Sequence, residues 1–284
     1  MPTVELNGTT VSYLRTGGAD TGRSETVVLL HSSACSGAQW RSFAESYGES
    51  FRLIAPDLYG YGATAPWSGC DRLRLADEAA IVSALTADCD EPIHLVGHSY
   101  GGAVALKLAI ERPERVRSLT LIEPVSFHLL WNSDTRAVKF FDEVRSLADD
   151  VTAAVERGAH AAAMQRFVDY WNGKGAWAGM GERQRDAVLR AAPKIPMDFW
   201  AAITEPTLLE DYAALTQPTL ILRGDRSPAP VQRIADLLAS ALSRVQTKIL
   251  HGAGHMLPLT HRHIVNPIVA QQLQATAGRE QRAA

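Results

Sequence analysis

The stretch Ile93-His94-Leu95-Val96-Gly97-His98-Ser99-Tyr100-Gly101-Gly102 leads from a mostly apolar run into Ala103–Ile110, a segment of small and apolar residues. The first run reads as a strand and the second as a helix, so Gly97 to Gly101 must turn one into the other within a few residues. A serine in so tight a turn takes a strained backbone, and Gly97 and Gly101 stand where side chains would collide. The turn lifts the Ser99 hydroxyl clear of the sheet. The first free N–H groups of the following helix, and its dipole, then favour negative charge developing beside that hydroxyl.

A Gly-x-Ser-x-Gly pattern alone arises by chance in roughly one chain of this length in ten, so its surroundings decide what it means. Here the surroundings are strands alternating with helices. Val27–Leu30 is short and apolar on both faces, as a central parallel strand must be, and Phe51–Ala55, Val116–Ile122, Thr219–Leu222 and Val245–Leu250 follow along the chain. Ahead of them, Val4–Leu6 and Thr10–Leu14 flank Asn7-Gly8, a pair that supplies the positive φ angles of a two-residue hairpin turn. A polar, Gly-rich loop is expected from Gly17 to Ser24. Helices are expected at Trp40–Tyr47, Leu73–Ala87, Val231–Leu242 and Ile264–Ala275, the second with Leu75, Ala79, Val82 and Leu85 on one buried face.

From about Ser126 to Ala214 the alternation stops and only helical spacing remains. Val138, Phe141, Val144 and Ala148 fall near one face, as do Met164, Phe167, Val168 and Trp171. The expected organisation is an α/β domain at 1–125 and 215–284 with a helical cap inserted at 126–214. Placed over the sheet's C-terminal edge, such a segment excludes water and shapes a pocket. Its aromatics, Trp131, Tyr170, Trp171, Trp177, Phe199 and Trp200, serve largely as its own core. Tyr59, Tyr61 and Trp67, beside the glycine turns at Gly60 and Gly62, are expected either to line the pocket or to pack at the surface or under the lid.

With 284 residues, 46% hydrophobic and 21% charged, the chain can bury a full core. A net charge of -3 leaves no basic excess to hold a phosphate backbone, so nucleic acid is not an expected partner. Cys35, Cys70 and Cys89 are odd in number and lack metal spacing, which fits a reducing compartment. The first residues show neither the charged start nor the apolar core of a signal peptide, and no long apolar run occurs; a cytoplasmic protein without membrane contact is expected. Homo-oligomerisation stays open.

A base for Ser99 must come from a loop able to reach the sheet's C-terminal edge. Of nine histidines, His255 fits best, because it follows the last strand in Gly252-Ala253-Gly254-His255. His251 belongs to the strand end, His261 and His263 enter the next helix, and His98 flanks the turn on its far side. His31 reads as a structural hydrogen-bonding residue, and Cys35 as a small packed thiol with no base placed for it.

Together with His31-Ser32-Ser33 and Asp57-Leu58-Tyr59-Gly60-Tyr61-Gly62, these motifs resemble the α/β-hydrolase fold family over nearly the whole chain. The resemblance implies a mostly parallel, doubly wound sheet of about eight strands, with Ser99 as nucleophile and His255 as base. It also implies an oxyanion hole made by the backbone N–H groups of Ser33 and Tyr100. One departure is Ser32, where the family usually has glycine; another is Ser227, which stands at the family's usual acid position and carries no charge. Two carboxylates can replace it. Glu123, at the end of the strand the family places beside the nucleophile strand, is the first choice, and Asp225 is the alternative.

Dehalogenases and epoxide hydrolases of the family use aspartate at the turn, so a serine there implies carboxylic ester or related carbonyl chemistry on a small, apolar or aromatic molecule. The same residues serve carbon–carbon hydrolysis, perhydrolysis and acyl transfer, which the residues do not separate. The reading from another class is a ligand receptor on the same fold. Neither a metal nor an organic cofactor is implied.

Overall fold

The computed structural model describes residues 1–17, 25–131 and 133–277; the loop expected from Gly17 to Ser24, but for Gly17, and the chain end lie outside them. Eight strands form one sheet: β1 (Thr3–Leu6), β2 (Thr9–Thr16), β3 (Thr26–Leu30), β4 (Arg52–Pro56), β5 (Ile93–His98), β6 (Val116–Ile122), β7 (Thr219–Gly224) and β8 (Val245–Leu250). Their order is β1-β2-β4-β3-β5-β6-β7-β8. The opening hairpin is antiparallel and joins β4 antiparallel, while β4, β3, β5, β6, β7 and β8 run parallel. Asn7 (φ 50°) and Gly8 (φ 76°) make its turn.

The sheet is wound on both sides. The helices outside the β6–β7 connection are α1 (Arg41–Tyr47), α2 (Leu75–Leu85), α3 (Tyr100–Glu111), α9 (Ala229–Ala241), α10 (Leu257–Thr260) and α11 (Arg262–Ala277). Within that connection lie α4 (Thr135–Glu156), α5 (His160–Asn172), α6 (Ala176–Gly179), α7 (Glu182–Arg190) and α8 (Ile195–Ile203). The helix expected at Trp40–Tyr47 begins at Arg41, and Gly37–Trp40 form a 3-10 turn that runs into it.

One core packs α2, α3 and α9 together with the helices of the β6–β7 connection, through side chains such as Leu95, Val104, Leu121, Val144, Met164 and Ile234. A second lies on the other side of the sheet, where Trp40 and Phe43 meet Val265, Val269 and Leu273 over Leu29, Leu53 and Val96. Burying each such side chain contributes about 1.5–3 kcal/mol, which sets the central strands' position firmly. Leu75, Ala79, Val82 and Leu85 are buried as their spacing predicts, but so is Glu78 on the same face. In α4 the buried stripe is Ala137, Phe141, Val144, Ala148 and Val151, so Val138 stands one residue off it. Tyr59 and Tyr61 are core residues, 1% and 2% exposed, and Trp67 packs edge-on against Tyr59. Among the described residues, no helix is long and apolar enough to cross a membrane.

Candidate active site

The turn after β5 has the geometry its glycines demand. Ser99 sits at φ 55° and ψ -117°, a backbone that side chains rarely adopt. A Cβ on Gly97 would lie 2.3 Å from the Gly101 carbonyl oxygen, and one on Gly101 would lie 2.5 Å from that of Leu30. Any larger residue at either position must therefore displace backbone. The Ser99 N–H is fixed to Ile122 O at 2.9 Å, so β6 holds the turn as well.

From Ser99 a hydrogen-bonded chain runs through two further side chains. The Ser99 Oγ lies 2.9 Å from His255 Nε2, and His255 Nδ1 lies 3.1 Å from Glu123 Oε2. All three are buried. His255 comes from the loop after β8, and Glu123 from the end of β6, the strand next to β5. Glu123 is itself at φ 52°, a backbone that aims its carboxylate across the strand ends, and its other oxygen accepts from Gly224 N at 2.6 Å and Ser227 Oγ at 2.7 Å.

Asp225 does not join this chain. Its carboxylate faces the surface, accepting from His251 Nδ1 at 3.0 Å and from Gly252 N at 2.8 Å. The His251 contact first, and then the Gly252 N–H, hold it below the usual carboxylate range. It anchors the start of the loop that carries His255.

Ser33 and Tyr100 border the same space. Tyr100 is the first residue of α3, so its N–H has no intrahelical acceptor. Ser33 lies in the turn after β3, where the positive φ falls on Ala34 (58°) rather than on Ser32, so the serine at the usual glycine position is accommodated without left-handed backbone. The turn is tied by Ser32 N and Oγ to Gln39 Oε1, each at 3.1 Å, and by His31 Nδ1 to Ser32 O at 2.8 Å. His31 Nε2 accepts from Leu58 N at 3.0 Å, and burial pushes this imidazole down to about 4, so it is neutral and structural.

Three contributors escaped the sequence reading. His98 flanks the turn on its far side, yet its Nε2 donates to the His255 carbonyl at 2.9 Å and steadies that loop. Burial, then the neighbouring His255, push the His98 imidazole well below its usual range, which keeps it neutral. Trp171 of α5 stacks on the His255 ring, centroids 4.4 Å apart and planes 27° apart. Its helical spacing marked it only as buried. Asp198 of α8 accepts from Ser33 Oγ and Tyr61 Oη, both at 2.5 Å.

Ser99, His255 and Trp171 border a cavity of about 430 Å³. Its floor is Ser33, Ser99, Tyr100 and His255, and its walls include Phe127, Phe167, Val168, Trp171, Val188 and Phe199 from the β6–β7 connection. Among the described residues that line it there is no lysine or arginine, and Asp198 is the acidic one. Burial pushes the Cys35 thiol, also at this wall, up and away from thiolate.

A profile described as the alpha/beta hydrolase family matches residues 27–267, most of the chain. The chain belongs to the alpha/beta hydrolase family. This hydrolase is 34% identical over 127 residues to the "dihydrolipoyllysine-residue acetyltransferase component of acetoin cleaving system" of Cupriavidus necator, covering 43% of this chain and 32% of that one. It therefore spans about a third of that relative's length. It is 29% identical over 262 residues to the 2-hydroxy-6-oxo-2,4-heptadienoate hydrolase of Pseudomonas putida, covering 88% of the chain and 79% of the relative. Among solved structures, a thermophilic esterase from Thermogutta terrifontis superposes with a TM-score of 0.76 at 20% identity, over 97% of each chain. The likeness to that esterase is one of fold.

Proposed function

We propose that this hydrolase is a serine esterase that cleaves small, uncharged carboxylic esters with an apolar or aromatic portion, through an acyl-enzyme. The observation that carries the reading is the chain Glu123–His255–Ser99 ending on a hydroxyl at the floor of an apolar cavity.

In this reading His255 Nε2 takes the Ser99 proton as the oxygen attacks the ester carbonyl carbon. The resulting oxyanion rests on the N–H groups of Ser33 and Tyr100, a donor of this kind contributing about 3 kcal/mol to lowering the barrier. His255 then protonates the departing alcohol. Glu123 holds the imidazole in the tautomer that presents a bare Nε2 to Ser99 and balances its charge once protonated. Water repeats the cycle to free the acid. The segment 126–214 acts as a cap that keeps bulk water from this space and selects the acyl or alcohol portion.

Carbon–carbon hydrolysis is the second reading, favoured by the Pseudomonas putida relative, whose name gives a dienoate as its substrate. A dienoate brings a carboxylate, and burying one without a cation is costly. The absence of lysine and arginine from the described lining favours the uncharged ester.

The test is labelling of Ser99 with a fluorophosphonate probe and, on separate unlabelled protein, turnover of p-nitrophenyl butyrate. Many turnovers in the parent, with loss of several orders of magnitude in Ser99→Ala, support the esterase. Turnover retained in Ser99→Ala overturns it, and labelling with a single slow turnover points to a receptor.

A further inference from the structure

We propose that Asp198 is a positioning residue that sets the Ser33 backbone donor of the oxyanion hole, so that the helical segment completes the reaction centre rather than only covering it. The proposal rests on the esterase reading of the site. Asp198 lies on α8, while Ser33 follows β3, and one hydrogen bond of 2.5 Å from Ser33 Oγ to Asp198 Oδ2 joins them. Ser33 is wedged between a core-side anchor, Gln39 holding Ser32, and a left-handed residue, Ala34 at φ 58°. A non-glycine residue in that region persists only when its surroundings hold it. The direction of the Ser33 N–H depends on these same torsions, and Asp198 holds the Ser33 side chain from the cap side.

A carboxylate so close to an oxyanion would oppose it unless its charge were offset. Lys194, one turn before Asp198 on the same segment, supplies the offset: its Nζ contacts Asp198 Oδ1 and lies 2.9 Å from Glu78 Oε1. Lys194, Asp198 and Glu78 are all buried, and Glu78 Oε2 accepts from Tyr59 N at 3.2 Å. Burial opposes the Lys194 charge, but Asp198 and then Glu78 outweigh it and hold its pKa above the ordinary value. Burial pushes the Glu78 carboxyl up, against the opposing pull of the Lys194 charge. Tyr61 Oη, the second donor to Asp198 Oδ2 at 2.5 Å, restricts that oxygen to one orientation. The cluster therefore holds Ser33 through Asp198, with the Lys194 charge directly opposed to that of Asp198.

The experiment is a double-mutant cycle on Ser33→Ala and Asp198→Ala, with kcat and KM for p-nitrophenyl butyrate measured separately and Ser33→Thr as the variant that keeps the hydroxyl. If Asp198 acts through Ser33, each single change lowers kcat by roughly tenfold or more, because misplacing one transition-state contact slows the chemical step. KM should stay near the parent value, and the double variant should be no slower than the worse single one. Ser33→Thr should recover most of the loss. Additive losses, or a raised KM with kcat unchanged, overturn the proposal. Should Asp198→Ala not fold, Ser33→Ala and Ser33→Thr decide it, since an unchanged kcat in Ser33→Ala is enough to overturn it. A parent that labels with fluorophosphonate but does not turn over the ester sinks the esterase reading alone, and labelling rates in the same variants then read the coupling. A parent that does neither overturns both.

Discussion

The Ser227 hydroxyl donates to Glu123 Oε1 at 2.7 Å, across the gap between the loop after β7 and the end of β6. The Gly224 N–H meets the same oxygen at 2.6 Å. Two donors on one oxygen turn the other toward His255. A carboxylate arriving from β6 thus receives its orientation from the β7 side, where the family's usual acid position holds an uncharged serine. Serine at that position fits: a second acid there would face Glu123 with like charge.

Exchange of the two carboxylates for amides should separate them. Glu123→Gln is expected to lose on the order of 10⁴ in ester turnover, as loss of the orienting carboxylate does in the serine-protease template. Asp225→Asn, which touches His251 and Gly252 at the surface, should stay within about tenfold of the parent, since a surface pair contributes little. The reverse order in steady-state rates would move the acid to Asp225.

The stacked pair Trp171 and His255 predicts a graded series. An aromatic stack contributes about 0.5–1.5 kcal/mol, so Trp171→Ala should lower kcat roughly three- to tenfold and widen the range of acyl chains accepted. Trp171→Phe keeps a ring on the imidazole and should lie between. Rates for acetate, butyrate and benzoate esters in the three proteins test this, and an unchanged rate in Trp171→Ala would show the stack to be packing only.

Substrate charge gives an independent check on the cavity. p-Nitrophenyl butyrate and the mono-p-nitrophenyl ester of succinic acid differ by a carboxylate at the chain end. With Asp198 at the wall and no cation among the described lining, the anionic ester should fall at least about tenfold in kcat/KM, because its carboxylate must be desolvated unpaired. Equal values would favour the carboxylate-bearing substrates of the second reading.

Buried neutral histidines should make the fold sensitive to mild acid. Burial first, against smaller opposing contacts, depresses the folded-state pKa of His31 and His128 to about 4. The unfolded value is about 6.5, so between these limits the unfolded chain binds the more protons. The contribution is therefore complete above about pH 6.5 and is lost as pH falls toward 4, on the order of 3 kcal/mol for each histidine. Urea midpoints at pH 7 and pH 5 should show the drop, and His128→Gln should reduce it. A midpoint independent of pH over that range would mean that these imidazoles are protonated in the folded protein.

Much of the layout of the candidate site was legible in the chain because it depends on local chemistry. Gly97 and Gly101 are required wherever strand and helix meet around a serine, Asn7-Gly8 wherever two strands turn in two residues, and unbroken apolar runs wherever a parallel strand is covered on both faces. Those rules act within a few residues, and so the elbow, the hairpin and the strand positions could be read in order. What tertiary structure alone decided are the pairings between distant segments. Glu123 and Asp225 are both strand-end carboxylates in the sequence, and only the positive φ of Glu123 and the donors across β7 aim one at His255 while the other turns to His251. Glu78 stands on an apolar helical face where periodicity expects a hydrophobic residue, and it is tolerated there because Lys194, 116 residues later, is buried against it. Trp171, Asp198 and His98 likewise acquire their roles from what packs against them. A side chain's burial follows from its own character and spacing, but its partner is set by the energy of folding segments far apart in the chain onto one another.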